Sequence, residues 1–132
     1  MFDFSNKKIL IVDDDPIFLE IIEKKLKKEG INLLKKITSP SQTIEEISKE
    51  KYDLILLDVM LPELDGISLF FEITKLSPNS RVIFVTNYGE SIDQQNSFIN
   101  KEVAENLGAA DYFNKKNDLN ILIEMIKKFL ID

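Results

Sequence analysis

The sequence contains no cysteine, which excludes a disulfide framework, a zinc–thiolate centre and a thiol nucleophile. It contains no histidine, and so lacks both the commonest general base and the usual transition-metal ligand. Any chemistry must run on carboxylates, lysines, hydroxyls and amides. No apolar run approaches the roughly 18 residues that a membrane span requires. The first eight residues carry an early acid, and no apolar h-region follows them, so they do not read as a signal peptide. Positive charge is also in deficit: 17 lysines and arginines face 23 acids, for a formal net charge of −6. Nonspecific nucleic-acid affinity comes from cations that neutralise phosphates. Neither nucleic acid nor membrane is therefore an expected partner, and the expected location is cytoplasmic.

What is present suffices for one domain. The 132 residues are 44% hydrophobic, enough for a core without disulfides or a structural metal. Ile9-Leu10-Ile11-Val12 is a β-branched run with no polar face, as expected of a strand buried on both sides of a parallel sheet. Pro16 opens a helix over residues 16–29, since proline costs nothing where the N–H is unpaired anyway. Phe18, Leu19, Ile21, Ile22 and Leu26 form its inward stripe, and Gly30 ends it. A weaker strand over 31–37 reads as an edge because of Lys35 and Lys36. The pattern then predicts a helix over 41–49 capped by Ser39 or Ser41, a strand over 54–57 and a helix over 65–76. A strand over 82–85 and a polar helical segment over 91–107 follow. A strand over 109–113 and a helix over 119–130 complete the chain. In that last helix Ile121, Leu122, Met125, Ile126 and Phe129 are the expected core, widened by Leu119, Ile123 and Leu130. Five strands alternating with five helices indicate a doubly wound α/β sheet, whose ligands bind outside the carboxyl ends of the strands.

Attention therefore falls on the residues at those ends. Asp13-Asp14-Asp15 follows the first strand. One aspartate would cap the helix and suit its dipole, but three exceed that need, and taken alone the tract divides evenly between site and cap. Asp58 ends Leu54-Ile55-Leu56-Leu57-Asp58 and has apolar neighbours on both sides. A carboxylate held there loses hydration and neutralises unless a cation compensates. Thr86 follows the fourth strand and Lys115 the fifth; singly they read as a turn hydroxyl and a solvated lysine. Together these groups make a set of carboxylates, a hydroxyl and an ammonium at one sheet edge. Clustered carboxylates without histidine or cysteine suit Mg²⁺, and Lys115 with Thr86 completes a pocket for phosphoryl oxygens.

With these residues in place, the chain resembles the receiver domain of bacterial two-component response regulators, from Lys8 to about Leu130. The most specific elements are Ile11-Val12-Asp13-Asp14-Asp15-Pro16 and the stretch from Asp53 through Asp58, Met60, Pro62 and Asp65 to Gly66. The resemblance implies a flavodoxin-like or CheY-like sheet in the order 2-1-3-4-5. It implies that Asp58 accepts a phosphoryl group from a histidine kinase or phosphotransfer protein. Asp14, Asp58 and the Met60 carbonyl would ligate Mg²⁺ directly, with Asp13 acting mainly through water. Lys115 would bind the phosphoryl group, Thr86 would swing in to donate a hydrogen bond, and Tyr112 would turn inward with it. Tyr112 reads equally as a half-buried strand aromatic, and the two readings are compatible. The resemblance assigns Asp15 no role, and its expected place is the helix cap.

Three departures from the family pattern carry expectations of their own. Asn87 and the bulky Tyr88 stand where a small residue usually follows the threonine, and are expected to narrow access and slow attack by water. Lys116 replaces the usual proline. A cis bond before it would cost about 2.5–4 kcal/mol, so either the loop is trans or Lys115 is aimed differently. The surplus length over residues 90–106 lies on the usual signalling face, where it is an unusual partner surface or a tolerated insertion. A downstream target or dimer partner is expected over residues 90–130. The chain is expected to be a single receiver domain over 1–132 with no output domain, either standing alone or heading a longer regulator. Two rivals remain. One is a phosphatase of the haloacid-dehalogenase type with Asp13 as nucleophile and Asp15 as acid/base, against which Ile17 and the lack of a later acid pair speak. The other is a pseudo-receiver that only binds partners.

Overall fold

A computed structural model of the chain describes residues 2–59, 66–87 and 101–131. The expectations at Met60, Asp65 and Tyr88, and those over residues 90–100, lie outside the described residues. Five strands and five helices alternate: β1 (Lys8–Val12), α1 (Pro16–Lys28), β2 (Leu33–Ile37), α2 (Pro40–Lys49), β3 (Leu54–Asp58), α3 (Gly66–Leu76), β4 (Arg81–Thr86), α4 (Lys101–Leu107), β5 (Asp111–Asn114) and α5 (Leu119–Ile131). The strands form one parallel sheet in the order β2-β1-β3-β4-β5, the order implied by the resemblance.

Strand alternation divides the apolar runs between two layers. Ile9, Ile11, Leu54, Leu56, Ile83, Val85 and Phe113 pack with Phe18, Leu19, Ile22 and Leu26 of α1 and with Leu122 and Ile126 of α5. Leu10, Val12, Ile55, Leu57, Val82 and Phe84 pack on the opposite face with Ile47 of α2, Leu69, Phe70 and Ile73 of α3, and Ala104 of α4. Burying each such side chain stabilises the fold by about 1.5–3 kcal/mol. At the β2 edge, Lys35 and Lys36 are exposed and discourage pairing with another chain.

Local chemistry sets the helix ends. Asp15 caps α1, its side chain accepting from the Ile17 and Phe18 amides, and Ser39 caps α2 by accepting from Gln42. Gly30 and Gly108 close α1 and α4 at φ +83° and +110°, the left-handed region glycine enters without strain. The Arg81 guanidinium donates to the Phe129 carbonyl at 3.1 Å, pinning the last turn of α5 to the start of β4.

Some expectations shift. Ile21 is 39% exposed and Ile121 55% exposed rather than core. The buried stripes run through Phe18, Leu19, Ile22 and Leu26 in α1 and Leu122, Ile123, Ile126 and Leu130 in α5. At 100° per residue, Ile21 and Ile121 fall outside those arcs. Met125 and Phe129 sit at the border of the α5 stripe. The pairing of β5 begins two residues later than expected, because Asp111 aligns with Ile83, and β2 begins at Leu33 rather than Ile31. Ile31 is instead buried in the α1–α5 layer.

Candidate functional site

Sheet register brings the strand-end residues together. Val12 pairs with Leu57, Asp58 with Val85 and Thr86 with Asn114. Asp13, Asp58, Thr86 and Lys115 therefore all lie within about one residue of the same edge. Alternation then splits them. Asp13 and Asp58 continue the rows that face α1 and α5, whereas Thr86 and Tyr112 continue the rows that face α3 and α4.

Asp13 is 1% exposed and Asp58 5%, while Asp14 is exposed and forms the open side of the group. Carboxylate oxygens of the three lie within 4.8 Å of one another. Lys115 closes the other side, with its ammonium 2.7 Å from Asp13 Oδ2 and 3.7 Å from Asp58 Oδ2. Its backbone is fixed by an N–H···O bond of 2.7 Å to the Thr86 carbonyl. There is no cis peptide among the described residues, so the 115–116 bond is trans and still aims Lys115 into the acidic group. Beneath the ammonium lies the Phe18 ring, its centroid 4.4 Å away.

Burial pushes the Asp13 carboxyl above its ordinary range. Lys115 and a hydrogen bond from the Asp15 amide oppose the shift, and the nearby Asp14 charge adds to it. That amide donates to Oδ1 at 2.9 Å. Oδ2 meets Lys115 as an ion pair but, among the described residues, accepts no well-aligned hydrogen bond. A buried carboxylate oxygen in that condition, beside two further carboxylates, fits a hard cation with oxygen ligands. The three-residue set is thus chemically suited to Mg²⁺.

The Asp15 carboxylate is otherwise engaged, its Oδ1 accepting from Ile17 at 3.0 Å and Phe18 at 3.4 Å. It is a cap, which weighs against the phosphatase reading that needs it as acid/base. Thr86 is fully buried, and Asn87 beside it is exposed. Tyr112 is half-buried against the α3–α4 layer, aligned with Phe84 across the sheet, and burial raises its hydroxyl pKa. The strand-aromatic reading of Tyr112 therefore holds in this conformation.

Two residues matter here beyond what the sequence showed. Gly66 approaches the β3 end so closely that an added Cβ would meet Val59 Cα at 2.4 Å and the Asp58 carbonyl oxygen at 2.7 Å. Its place after Asp65 marked a helix start, but that close approach depends on the fold. Phe18 read only as core, and nothing in its spacing announces Lys115 above it. A cavity of about 440 Å³ lies at the other end of the sheet, lined in part by Ile47, Tyr52, Leu76 and Ser80.

Comparison with known proteins agrees with this geometry. A family model described as the response regulator receiver domain matches residues 9–127. The chain is 34% identical over 125 residues to sporulation initiation phosphotransferase F of Bacillus subtilis (strain 168), covering 95% of this chain and 94% of that protein. It is 32% identical to the transcriptional regulatory protein CrdR of Helicobacter pylori (strain ATCC 700392 / 26695), covering 96% of this chain but 56% of that protein. The chain thus spans only about half of that longer relative. Among solved structures, a CheY-like response regulator receiver domain protein from Methanospirillum hungatei JF-1 superposes with a TM-score of 0.79 at 32% identity, covering 94% and 93% of the two chains.

Proposed function

The chain belongs to the response regulator receiver domain family of signalling phosphoacceptors, and on that premise we propose that Asp58 is its phosphoacceptor. The observation that carries this is the convergence of Asp13, Asp58 and Lys115, a buried acid pair bridged by one ammonium at 2.7 and 3.7 Å. Asp13, Asp14 and Asp58 would hold Mg²⁺, with the Met60 carbonyl completing the set by family resemblance. Bound there, the cation would offset charge on phosphoryl oxygens.

The remaining work falls to the chain. A carboxylate oxygen of Asp58 attacks phosphorus in line, forming the acyl phosphate as the P–N bond to a donor histidine breaks and the imidazole keeps that electron pair and takes up a proton. Lys115 moves from Asp13 toward the new phosphoryl oxygens, and Thr86 donates its hydroxyl to one of them. Thr86 and Tyr112 share a sheet face, so a shift of the hydroxyl opens room that the half-buried tyrosine ring can fill. The new contacts favour the active arrangement only by the difference in their free energy between the two states. Loss of the phosphoryl group to water resets the switch, and Asn87, exposed beside Thr86, slows that step. The donor is a sensor histidine kinase or a phosphotransfer protein in the cytoplasm, and the signal leaves through the surface over residues 90–130. On this reading the chain is a single domain that catalyses only its own phosphorylation and dephosphorylation.

Incubation with Mg²⁺ and acetyl phosphate followed by intact mass measurement tests the assignment. A single phosphoryl adduct on the wild type and none on Asp58→Asn is expected. An equal adduct on the variant, or none on the wild type, defeats it.

A further inference from the structure

We propose that Phe18 is a positioning residue for phosphoryl transfer, its ring face carrying the Lys115 ammonium while that ammonium changes partner from Asp13 to the phosphoryl group on Asp58. The proposal rests on the reading of Asp58 as phosphoacceptor.

Nζ of Lys115 stands 4.4 Å from the ring centroid, well inside the roughly 6 Å over which an ammonium is held by the negative face of an aromatic ring. Both partners are withdrawn from water: the Lys115 side chain is 9% exposed and Phe18 is 5% exposed. Desolvation strengthens such a contact. The ring is also held in place. The Asp15 carboxylate accepts the Phe18 amide, and the Asp15 amide donates to Asp13 Oδ1. One helix cap therefore sets both the anion and the aromatic face that flank the lysine.

The ring does something Asp13 cannot. Asp13 belongs to the carboxylate set suited to a cation, and a lysine held by that carboxylate alone would lose its counterion whenever the carboxylate is engaged elsewhere. The phenyl face neither titrates nor ligates. It keeps the ammonium within reach of Asp58, now 3.7 Å away, whichever partner Asp13 has. A leucine at position 18 would fill the α1–α5 layer comparably but offer no such face.

The test separates shape from electrostatics in the full chain. Phe18 is replaced by its mono-, di- and trifluorinated analogues, which drain the ring face at nearly constant volume, and by Phe18→Tyr and Phe18→Leu. In unphosphorylated, metal-free protein, the Lys115 ε-methylene protons should show an upfield ring-current shift that disappears in Phe18→Leu. With saturating Mg²⁺, the initial phosphorylation rate from acetyl phosphate should fall stepwise with fluorine number, reaching about tenfold in the trifluoro protein and in Phe18→Leu. Phe18→Tyr should stay near the wild type, and the fluorinated proteins should melt together with it. A flat fluorine series, a rate loss that follows melting temperature, or no ring-current shift overturns the proposal. A clear ring-current shift in a wild type that takes no phosphoryl group instead overturns the reading of Asp58, and the proposed role with it.

Discussion

Gly66→Ala probes how the end of β3 is held. The added methyl would meet Val59 Cα at 2.4 Å, the Asp58 carbonyl oxygen at 2.7 Å and Val59 C at 2.8 Å, whereas ordinary contacts begin at 3.4 Å. All three atoms are backbone, so no side-chain rotation relieves the overlap, and the helix start or the β3 end must move by about 1 Å. Overpacking typically costs about 1–3 kcal/mol, and rigid neighbours put this case near about 3 kcal/mol. A chain of 132 residues has an unfolding entropy near 0.28 kcal/mol per kelvin at about 2.1 cal/mol/K per residue. The expected fall in melting temperature is then about 10 °C. The functional effect should exceed the stability effect, because the displaced atoms belong to Asp58 and its neighbour. A misplacement of about 1 Å can cost about a hundredfold in rate. Differential scanning fluorimetry and a time course of acetyl phosphate labelling, both at 20 °C where the variant remains folded, check the two parts. A variant that melts with the wild type and labels at the same rate would refute the close-packing argument.

Other outcomes follow from the same geometry. Mg²⁺ at a hundred times its dissociation constant should stabilise the wild type by about 2.7 kcal/mol; EDTA should reverse the thermal shift, and Asp13→Asn and Asp58→Asn should largely abolish it. Asp15→Ala removes the α1 cap and should cost about 1 kcal/mol in urea unfolding, while Asp58 still becomes phosphorylated, since Asp15 serves the helix rather than the metal group. The Tyr52 hydroxyl pKa is raised by burial and then by its hydrogen bond to Glu46, and that of Tyr112 by burial. Both phenols keep their protons in the folded state after the unfolded chain, near pH 10, has lost them. Their contribution to stability is complete below pH 10 and is lost as pH rises through the folded values. Absorbance titration at 295 nm should show their phenolate signal only above pH 10, and a loss of amplitude at pH 10 in Tyr52→Phe or Tyr112→Phe would contradict this.

Much of this protein was legible in one dimension because periodicity and punctuation are local properties. The apolar runs at Ile9–Val12, Leu54–Leu57 and Val82–Val85 declare strands buried on both faces. Pro16 and Gly30 bracket a helix, and Lys35 with Lys36 marks the edge strand. Asp13, Asp14, Asp58 and Thr86 could be picked out because each follows such a run, and Lys115 because it follows the last strand; parallel strands present their ends on one side. Where the reading slipped, the cause was not local. Ile21 and Ile121 lie at the margins of stripes whose centres depend on how α1 and α5 sit against the sheet, and the start of β5 depends on where β4 offers a partner. Tertiary structure alone decided how the site's charges are shared. It aimed Lys115 at Asp13 and Asp58 across a trans peptide, seated the ammonium on Phe18 and pressed Gly66 against the backbone at Asp58. Those contacts join residues from different strands and helices, and their distances follow from sheet register and helix placement, which no single segment encodes.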